Sequence, residues 1–237
     1  MEVSVLNREI YSIGEAARRL TIGPQRLRGW IDGYSRGGRV YEPVIRPERT
    51  GSDIVTWGEF VEAGYLREYR DSHKVSLQRL RPFVQDLRER LGVPYPLAHA
   101  TPYVANRELV LQIQEANNVD RALSMVVWRN GQLVLAPHAE KFVEKVEFAA
   151  AADNDGPAGA GEVVRIFPDG PSSPVAIDPL LAFGAPAIGA IRTENLYELF
   201  EAGESMMGIA HGYDLPLADV EAAIRYEGRG QRQESAV

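Results

Sequence analysis

The sequence predicts an α+β fold with an N-terminal winged helix-turn-helix, a central small antiparallel β unit and a C-terminal three-helix, helix-turn-helix-like bundle. Three observations lead to this prediction. Apolar residues recur at helical spacing up to about residue 95 and again from 193 onwards. Between about 100 and 170 their spacing is that of strands. A length of 237 residues is enough for two or three small domains, each with its own core.

Residues 11–33 are predicted to form the helix-turn-helix. Ser12 and Glu15 have the spacing of a capping box, which begins a first short helix. After a three-residue turn with a glycine, Pro24 suits the start of a second helix because it has no amide hydrogen to leave unsatisfied. Gly33 ends that second helix. The residues that it turns outward, toward base edges and phosphates, are Gln25, Arg26 and Arg28.

The arginine-rich segment after residue 33 is predicted to be a wing. Glycine and proline break it into short β-prone pieces, of which 40–41 and 44–45 are expected to pair with 54–55 as a hairpin. Arginines on such a hairpin would reach the DNA backbone or the minor groove. The predicted contacts are Arg36, Arg39, Arg46 and Arg49 from the wing, and Arg18 and Arg19 from the first helix. A mobile arginine-rich loop is the alternative interpretation.

Two longer helices are predicted after the wing. Thr56 and Glu59 form a second capping box, which starts a helix to about Asp71. Ser76 caps the next helix, which extends to about Leu91. The apolar residues of that last helix lie close to a heptad seam, so they are interpreted either as core or as a dimer interface.

An antiparallel β unit, either a spacer or an assembly platform, is predicted after residue 100. Asn130-Gly131 supplies the two positive-φ positions of a two-residue hairpin, between strands at 126–128 and 133–135. Other candidate strands lie at 103–104, 109–113, 142–148 and 163–167. The alanine-, glycine- and aspartate-rich residues between the last two are expected to form a mobile loop.

A third segment follows a proline- and glycine-rich linker at 169–174. Thr193 starts a helix, Ser205 caps a second, and a third runs from about Leu217 to Tyr226. The remaining residues are polar and are expected to be disordered. The predicted domains are 1–95, 100–170 and 175–227, followed by a flexible tail at 228–237.

Charge is distributed unevenly along the chain. Residues 1–100 carry 16 Lys and Arg against 13 Asp and Glu, a net charge of +3, whereas 101–237 carry 10 against 20, a net charge of −10. A basic half suggests nucleic acid as a partner, and an acidic half suggests another role. A solvated basic face is the alternative interpretation. Without cysteine, a long apolar run or a signal-peptide pattern, the chain is expected to be cytoplasmic, with no disulfide and no membrane span.

No catalytic or metal-binding constellation is evident in the sequence. The four histidines lack metal-ligand spacing, and no P-loop, dinucleotide-binding or nucleophile-elbow motif occurs. Residues 151–162 match a calcium loop in part, but Ala151 takes the first ligand position and cannot coordinate a cation. We therefore expect neither an enzyme nor a cofactor.

Several short motifs of the C-terminal segment occur at the spacing of a known bacterial family. They are Asp178-Pro179, Phe183-Gly184-Ala185-Pro186, Arg192, Ala202-Gly203-Glu204-Ser205, Ala210, Tyr213, Leu215, Val220, Glu221, Ala223 and Ile224. Residues 175–227 thereby resemble a small domain that is catalogued by number as a domain of unknown function and commonly pairs with PIN-like ribonuclease toxins. The N-terminal part is similar to the MerR-like winged helix that precedes this domain in longer members, including VapB-type antitoxins. Ala187, Ala190 and Gly208 depart from the family's pattern.

The resemblance implies an antitoxin of a type II toxin–antitoxin system. Such a protein would bind its own operator DNA through residues 11–55 and neutralise a cognate VapC-type PIN ribonuclease through the acidic half. A homodimer is expected because two DNA half-sites would supply the affinity that one small winged helix lacks. Arg192 and Tyr213 are the toxin contacts that the resemblance implies. Arg225, Arg229 and Arg232 are added because a guanidinium matches the carboxylate pocket of a PIN nuclease. The alternative is a free-standing MerR-like transcriptional regulator whose β unit senses a small molecule.

Overall fold

The α+β fold predicted from the sequence is confirmed by the computed structural model, which describes residues 4–71, 74–99, 127–129, 132–134, 145–149 and 161–234. The chain forms two units. The first consists of Met1–Val143 and Phe148–Val163, and the second of Glu144–Glu147 and Val164–Val237. Among the described helices, none has both the length and the apolar character needed to cross a membrane.

Up to residue 99, the described part of the first unit combines four α-helices with two small pairs of strands. Its elements are β1 (Glu9–Ser12), α1 (Ile13–Arg19), α2 (Pro24–Ile31), β2 (Tyr34–Arg36), β3 (Arg39–Tyr41), β4 (Ile54–Thr56), α3 (Trp57–Asp71) and α4 (Leu77–Leu91). Strand β1 pairs with β4, and β2 pairs with β3, both antiparallel. Single turns of 3₁₀ helix lie at Val5–Asn7 and Pro96–Ala98.

The predicted capping residues stand at the helix starts. Ser12 Oγ accepts a 3.1 Å hydrogen bond from the Glu15 amide at the start of α1. At the start of α3 the capping box is complete. The amide of Glu59 donates to Thr56 Oγ1 over 3.3 Å, and the amide of Thr56 donates to Glu59 Oε2 over 3.0 Å. These local bonds satisfy amides that a helix start otherwise leaves without a partner.

The core of the first unit includes side chains of α2, α3 and α4. Trp30 of α2, Phe60 and Leu66 of α3, and Phe83 and Leu87 of α4 are all buried. Burying one such side chain contributes about 1.5–3 kcal/mol. The apolar stripe of α4 is therefore part of this core, and its predicted alternative role as a dimer interface is wrong.

The predicted pairing of the wing is also wrong. The hairpin is formed by β2 and β3 around Gly37 and Gly38, whose φ angles of +57° and +73° suit a two-residue turn. Val44 and Ile45, predicted as strand, are buried, and both their amides donate to the Trp30 carbonyl, over 2.9 and 3.1 Å. The amides of Val44 and Ile45 are therefore not paired with β4, and β4 pairs with β1.

In the central region the predicted pairing of the strands on either side of Asn130-Gly131 is confirmed, while these two residues themselves lie outside the described part of the chain. The strands are β5 (Val127–Arg129) and β6 (Gln132–Val134), with Trp128 opposite Leu133. The candidate strands at 103–104 and 109–113 and the calcium-loop-like residues 151–160 lie outside the described residues.

The strands predicted near 142–148 and 163–167 are present but belong to a larger sheet. They are β7 (Val146–Phe148) and β8 (Val163–Ile166). Strands β9 (Ala176–Ile177), β10 (Pro186–Ile188) and β11 (Ile191–Arg192) extend this sheet in the order β11-β10-β9-β8-β7. The predicted limit of the β unit at residue 170 therefore cuts through a continuous sheet.

The second unit ends in the three predicted helices, α5 (Thr193–Glu201), α6 (Met206–Tyr213) and α7 (Leu217–Glu234). Ser205 caps α6 by accepting a 3.1 Å bond from the Gly208 amide. Leu196, Ile209 and Val220 bring the three helices to one apolar core. The helix α7 extends to Glu234, so the prediction of a disordered tail from 228 is wrong for those residues.

Candidate functional site

Helix α2 presents one apolar and one polar face. Leu27, Trp30 and Ile31 are at most 2% exposed, and they pack into the core of the first unit. The side chains on the other face, Gln25, Arg26 and Arg28, are exposed. Burial of the apolar stripe thus determines which residues of α2 point to solvent.

Both exposed arginines of α2 are paired with carboxylates. Arg26 Nη2 lies 2.6 Å from Asp71 Oδ1, at the end of α3, and its guanidinium stacks 4.7 Å above the Trp30 ring. Arg28 Nη1 lies 2.6 Å from Asp53 Oδ1, just before β4. The hydrogen bond to Asp53 raises the pKa of Arg28 above its usual value. Each guanidinium is therefore held in one orientation at the surface.

The hairpin β2–β3 carries two further arginines at its tip. Arg36 and Arg39 stand directly opposite each other in the strand register, and both are exposed. Like charges opposite each other destabilise an antiparallel pair. Within the described part of the chain, the structure gives neither guanidinium a carboxylate partner. The tip therefore has a concentrated positive charge that an anion would relieve.

The base of the hairpin is anchored to α2 and α4. The rings of Tyr34 and Tyr41 stack with centroids 4.7 Å apart, and Tyr34 lies over Gly29 of α2. Arg81 of α4 donates a 2.9 Å bond to the Glu42 carbonyl. Gly33 has a φ of +71°, and a side chain there would collide with the Tyr41 carbonyl. The hairpin is consequently fixed beside the polar face of α2.

The buried position of Arg46 contradicts its prediction as a DNA contact. Its side chain is 5% exposed, and it donates to Glu59 Oε1 over 2.8 Å and to Asp32 Oδ1 over 3.3 Å. Burial alone lowers the pKa of Arg46, but the hydrogen bonds and negative charges of Glu59 and Asp32 together outweigh this and raise it. In this conformation the guanidinium is a structural cation inside the first unit, and it is not available to DNA.

The other three arginines predicted to contact DNA differ in their exposure and in their partners. Arg18 is exposed. Arg19 pairs with Glu15 at 2.8 Å and lies over the Tyr11 ring. Arg49 donates a 2.7 Å bond to the Tyr41 carbonyl and so takes part in holding the hairpin.

Two acidic residues of this face were not predicted. Asp53 and Asp71 are separated from their arginine partners by 25 and 45 residues. No periodicity or motif links residues so far apart, so only the folded chain brings them together.

The predicted toxin contacts lie in the second unit, in different surroundings. Tyr213 is partly buried against the helical core, and the guanidinium of Arg192 lies 5.7 Å from the centroid of the Phe183 ring. Arg229 forms an ion pair with Asp169 and donates to the Arg225 carbonyl. The side chain of Arg232 lies outside the described residues.

Two of these arginines share a polar cavity. Its volume is about 490 Å³. The charged and hydroxyl side chains in its lining are Asp169, Ser172, Ser173, Asp219, Arg225 and Arg229. Arg192 and Tyr213 are not part of the lining, so the structure does not gather all the predicted toxin contacts in one place.

Metal-ligand clusters are not found among the described residues, where no group of three or more histidine or acidic side chains could hold an ion. His99 Nε2 lies 3.9 Å from Glu162 Oε1. Burial lowers the pKa of His99 despite this carboxylate.

Comparison with known proteins gives matches for the C-terminal segment and for most of the chain. The family described as "Protein of unknown function (DUF433)" matches residues 175–226. The crystal structure of Rv2018 from Mycobacterium tuberculosis shares the fold, with a TM-score of 0.65 and 24% identity over 91% of this chain and 96% of that one.

Two curated proteins of Mycobacterium tuberculosis are similar over most of their length. One, named "Putative antitoxin VapB45", is 24% identical over 224 residues, which are 86% of this chain and 87% of the relative. The other, named "Uncharacterized protein Rv2308", is 30% identical over 234 residues, which are 94% of this chain and 92% of the relative. The chain therefore belongs to the protein family of Rv2308.

Proposed function

We propose that this protein is the antitoxin of a type II toxin–antitoxin system. It binds its own operator DNA through the first unit and a VapC-type PIN ribonuclease through the second. Similarity to a relative named as a VapB antitoxin over most of both chains supports the toxin–antitoxin role. The match of residues 175–226 to the DUF433 family supports the resemblance of this segment to a small domain of unknown function.

The observation that carries the DNA-binding half is the pair of opposed arginines on the hairpin. Arg36 and Arg39 form a cationic tip beside α2, whose exposed face adds Arg26 and Arg28. Guanidinium groups match phosphates and guanine edges, and a helix with a neighbouring hairpin contacts two adjacent parts of a duplex. In this proposal α2 lies in the major groove, with Gln25 reading bases, and the hairpin contacts phosphates or the minor groove.

The exposure of each remaining arginine decides whether it is assigned as a phosphate contact. Arg18 and Arg49 are exposed and serve as phosphate contacts, and Arg19 joins them when it leaves Glu15. Arg46 is left out of the interface because it is buried.

The toxin-binding half rests on the helical segment 175–227. A PIN nuclease holds its metal ions with clustered carboxylates, and a guanidinium fits such a pocket. Arg225 is exposed on α7 and is the arginine best placed to enter it, whereas Arg229 is engaged with Asp169. The protein itself has no enzymatic activity in this proposal.

A homodimer completes the proposal, because one winged helix covers only a short operator and two half-sites increase affinity. Since the α4 stripe is used in the core, the remaining candidate interface is the region 103–135. We place the protein in the cytoplasm, where its DNA and toxin are.

The proposal is tested with the full-length chain and the cognate PIN nuclease that the proposal requires, for which the product of the neighbouring gene is the first candidate. Co-expression should relieve growth arrest by the nuclease, and the two proteins should copurify. In fluorescence anisotropy the chain should bind its own promoter. The double substitution Arg26→Ala and Arg28→Ala should cost roughly 2–6 kcal/mol of specific binding, from about 1–3 for each base contact. A chain that neither copurifies with the nuclease nor binds the promoter would refute the proposal.

A further inference from the structure

An apolar surface of the second unit lies on the loop between β9 and β10. Leu180 is 64% exposed, Leu181 37% and Phe183 78%. We call residues 180–183, Leu-Leu-Ala-Phe, the apolar loop. Three large apolar side chains in four residues differ from the single exposed apolar residues that are normal on a protein surface.

The apolar loop is held in one shape by hydrogen bonds. The amide of Leu180 donates to Asp178 Oδ1 over 2.8 Å, and the amide of Leu181 donates to the Asp178 carbonyl over 3.1 Å. Asp178 is itself fixed, because its other carboxylate oxygen lies 3.1 Å from Arg165 Nη2. The amide of Gly184 donates to the Leu181 carbonyl over 2.9 Å. The exposed side chains are therefore presented by an ordered loop.

The backbone of the loop is strained at two successive residues. Ala182 has a φ of +49° and Phe183 a φ of +56°, in the left-handed region that residues with a side chain avoid. Such conformations persist where the surrounding structure imposes them, and they concentrate at functional sites. Here the strained conformation holds the Phe183 ring in solvent.

One cation accompanies the apolar loop. The guanidinium of Arg192, on β11, lies 5.7 Å from the centroid of the Phe183 ring. Within the described part of the chain, the structure gives Arg192 no carboxylate partner. An aromatic ring and an arginine together form the kind of pair that dominates the binding energy of protein interfaces. The complementary surface is an apolar socket with a carboxylate at its rim.

We propose that the apolar loop, together with Arg192, is the anchor by which this protein binds the nuclease. Phe183 and Leu180 enter an apolar socket of the toxin, and Arg192 pairs with a carboxylate at its edge. This inference depends on the proposed function, since it names the surface that the toxin contacts. It differs from the arginine of α7 that enters the active site, because the anchor lies outside the nuclease's metal-binding pocket.

A second copy of this chain is a poorer occupant than the toxin. The cavity described in the second unit is lined mainly by charged and hydroxyl side chains, and its apolar lining is limited to Pro174, Ala218 and Ala222, so it is a poor socket for the Phe183 ring. The C-terminal half also carries a large net negative charge, which opposes self-association of that half at low salt. The nuclease is therefore the partner to which the proposal commits.

The test uses full-length chain and the neighbouring nuclease, with affinity measured by calorimetry and inhibition by cleavage of a fluorescent RNA. Phe183→Ser and Leu180→Ser should each weaken binding at least tenfold, and Arg192→Ala should weaken it severalfold. The matched control is Met207→Ser, which removes a 69% exposed apolar side chain of α6 and should change affinity less than twofold. Thermal unfolding should be unchanged in the three serine variants, because the side chains of Leu180, Phe183 and Met207 are 64–78% exposed.

The outcomes separate the two proposals. If wild-type chain forms no complex with the nuclease, the proposed function fails and the anchor with it. If the wild type binds and Phe183→Ser binds equally well, the anchor is refuted while the antitoxin role stands. Phe183→Ser that turns a dimer into a monomer and leaves toxin affinity unchanged would show a contact between copies, and would also refute the anchor. An equal loss with Met207→Ser would contradict the specificity of the apolar loop.

Discussion

Arg28 donates a 2.6 Å hydrogen bond to Asp53, so an exposed arginine of α2 is already neutralised by a carboxylate from a different part of the chain. Arg26 and Asp71 repeat this arrangement on the same helix. If α2 binds DNA, a phosphate or a guanine edge must replace each carboxylate. The two aspartates then orient the arginines in the free protein and compete with DNA for them.

Removing the competing carboxylates should tighten DNA binding. Asp53→Asn and Asp71→Asn each remove a weak surface ion pair and should raise promoter affinity by up to about fivefold. Anisotropy at several salt concentrations measures the change. Glu48→Gln is the control, because it removes the same charge from an exposed residue without an ion pair in the described structure. Equal effects of all three substitutions would show that only net charge matters.

The hairpin tip should contribute affinity without sequence preference. Arg36→Ala with Arg39→Ala should weaken binding to promoter and to random duplex alike. It should also reduce the slope of log K against log salt by about 1.8, because each arginine that neutralises a phosphate accounts for about 0.9 of that slope. The control is Arg90→Ala, an exposed arginine of α4 outside the proposed interface. An unchanged slope in the double variant would remove the hairpin from the interface.

The buried ion pair of Arg46 should matter for folding. Arg46→Met leaves Glu59 and Asp32 without their cation, and breaking a buried pair from one side costs about 3–5 kcal/mol of the free energy of unfolding. Urea denaturation measures this cost. A second substitution, Glu59→Gln, should restore part of it, since it removes the uncompensated charge. A variant Arg46→Met with wild-type stability and weakened DNA binding would reinstate Arg46 as a DNA contact.

Elements with local signals could be predicted from the sequence. Ser12 and Thr56 are followed three residues later by glutamates, and both mark the start of a helix in the structure. The strands on either side of Asn130-Gly131 pair as predicted, because the signal for a two-residue hairpin is carried by this dipeptide alone. The helical spacing of the α4 stripe indicated a buried face, but not whether the chain or a second copy buries it.

Features that depend on distant partners could not be predicted. Arg46 was predicted at the surface because its segment is rich in arginine. In the folded chain, however, Glu59 and Asp32 form ion pairs with it. Gly228 and Gly230 disfavour a helix, so α7 was expected to end early. Its extension is accompanied by the ion pair of Arg229 with Asp169, 60 residues away.

The carboxyl group of Glu62 should make stability depend on pH. Glu62 is fully buried in α3, and its Oε1 accepts a 3.0 Å bond from the Leu97 amide. Burial raises its pKa from 4.5 to about 8, although Arg88 opposes the shift. The folded state thus keeps its proton longer than the unfolded state. The stability that the folded protein gains from holding this proton is complete below about pH 4.5 and is lost as the pH rises to about 8.

The measurement is urea denaturation of wild type and Glu62→Gln between pH 5 and pH 8. The glutamine stays neutral, so the variant should gain stability relative to wild type as the pH rises, by a few kcal/mol in all (about 1.4 kcal/mol for each pKa unit). Glu48→Gln should keep the wild-type profile, because that carboxyl is exposed. Parallel profiles of wild type and Glu62→Gln would show that Glu62 is ionised in the folded protein throughout this range.

Two of the three arginines of α7, Arg225 and Arg229, should separate into a toxin contact and a structural residue. Arg225→Ala should weaken inhibition of the nuclease at least tenfold and leave unfolding unchanged, because its exposed guanidinium is the one proposed to enter the carboxylate pocket. Arg229→Ala should instead lower the free energy of unfolding by up to about 1 kcal/mol, as for a partly exposed pair, and Asp169→Asn should match it. In a double-mutant cycle the effects of Arg229→Ala and Asp169→Asn on stability should not add, because each substitution removes the same ion pair. Wild-type inhibition by Arg225→Ala would exclude that arginine from the nuclease pocket, and a strong loss with Arg229→Ala at unchanged stability would transfer the role to Arg229.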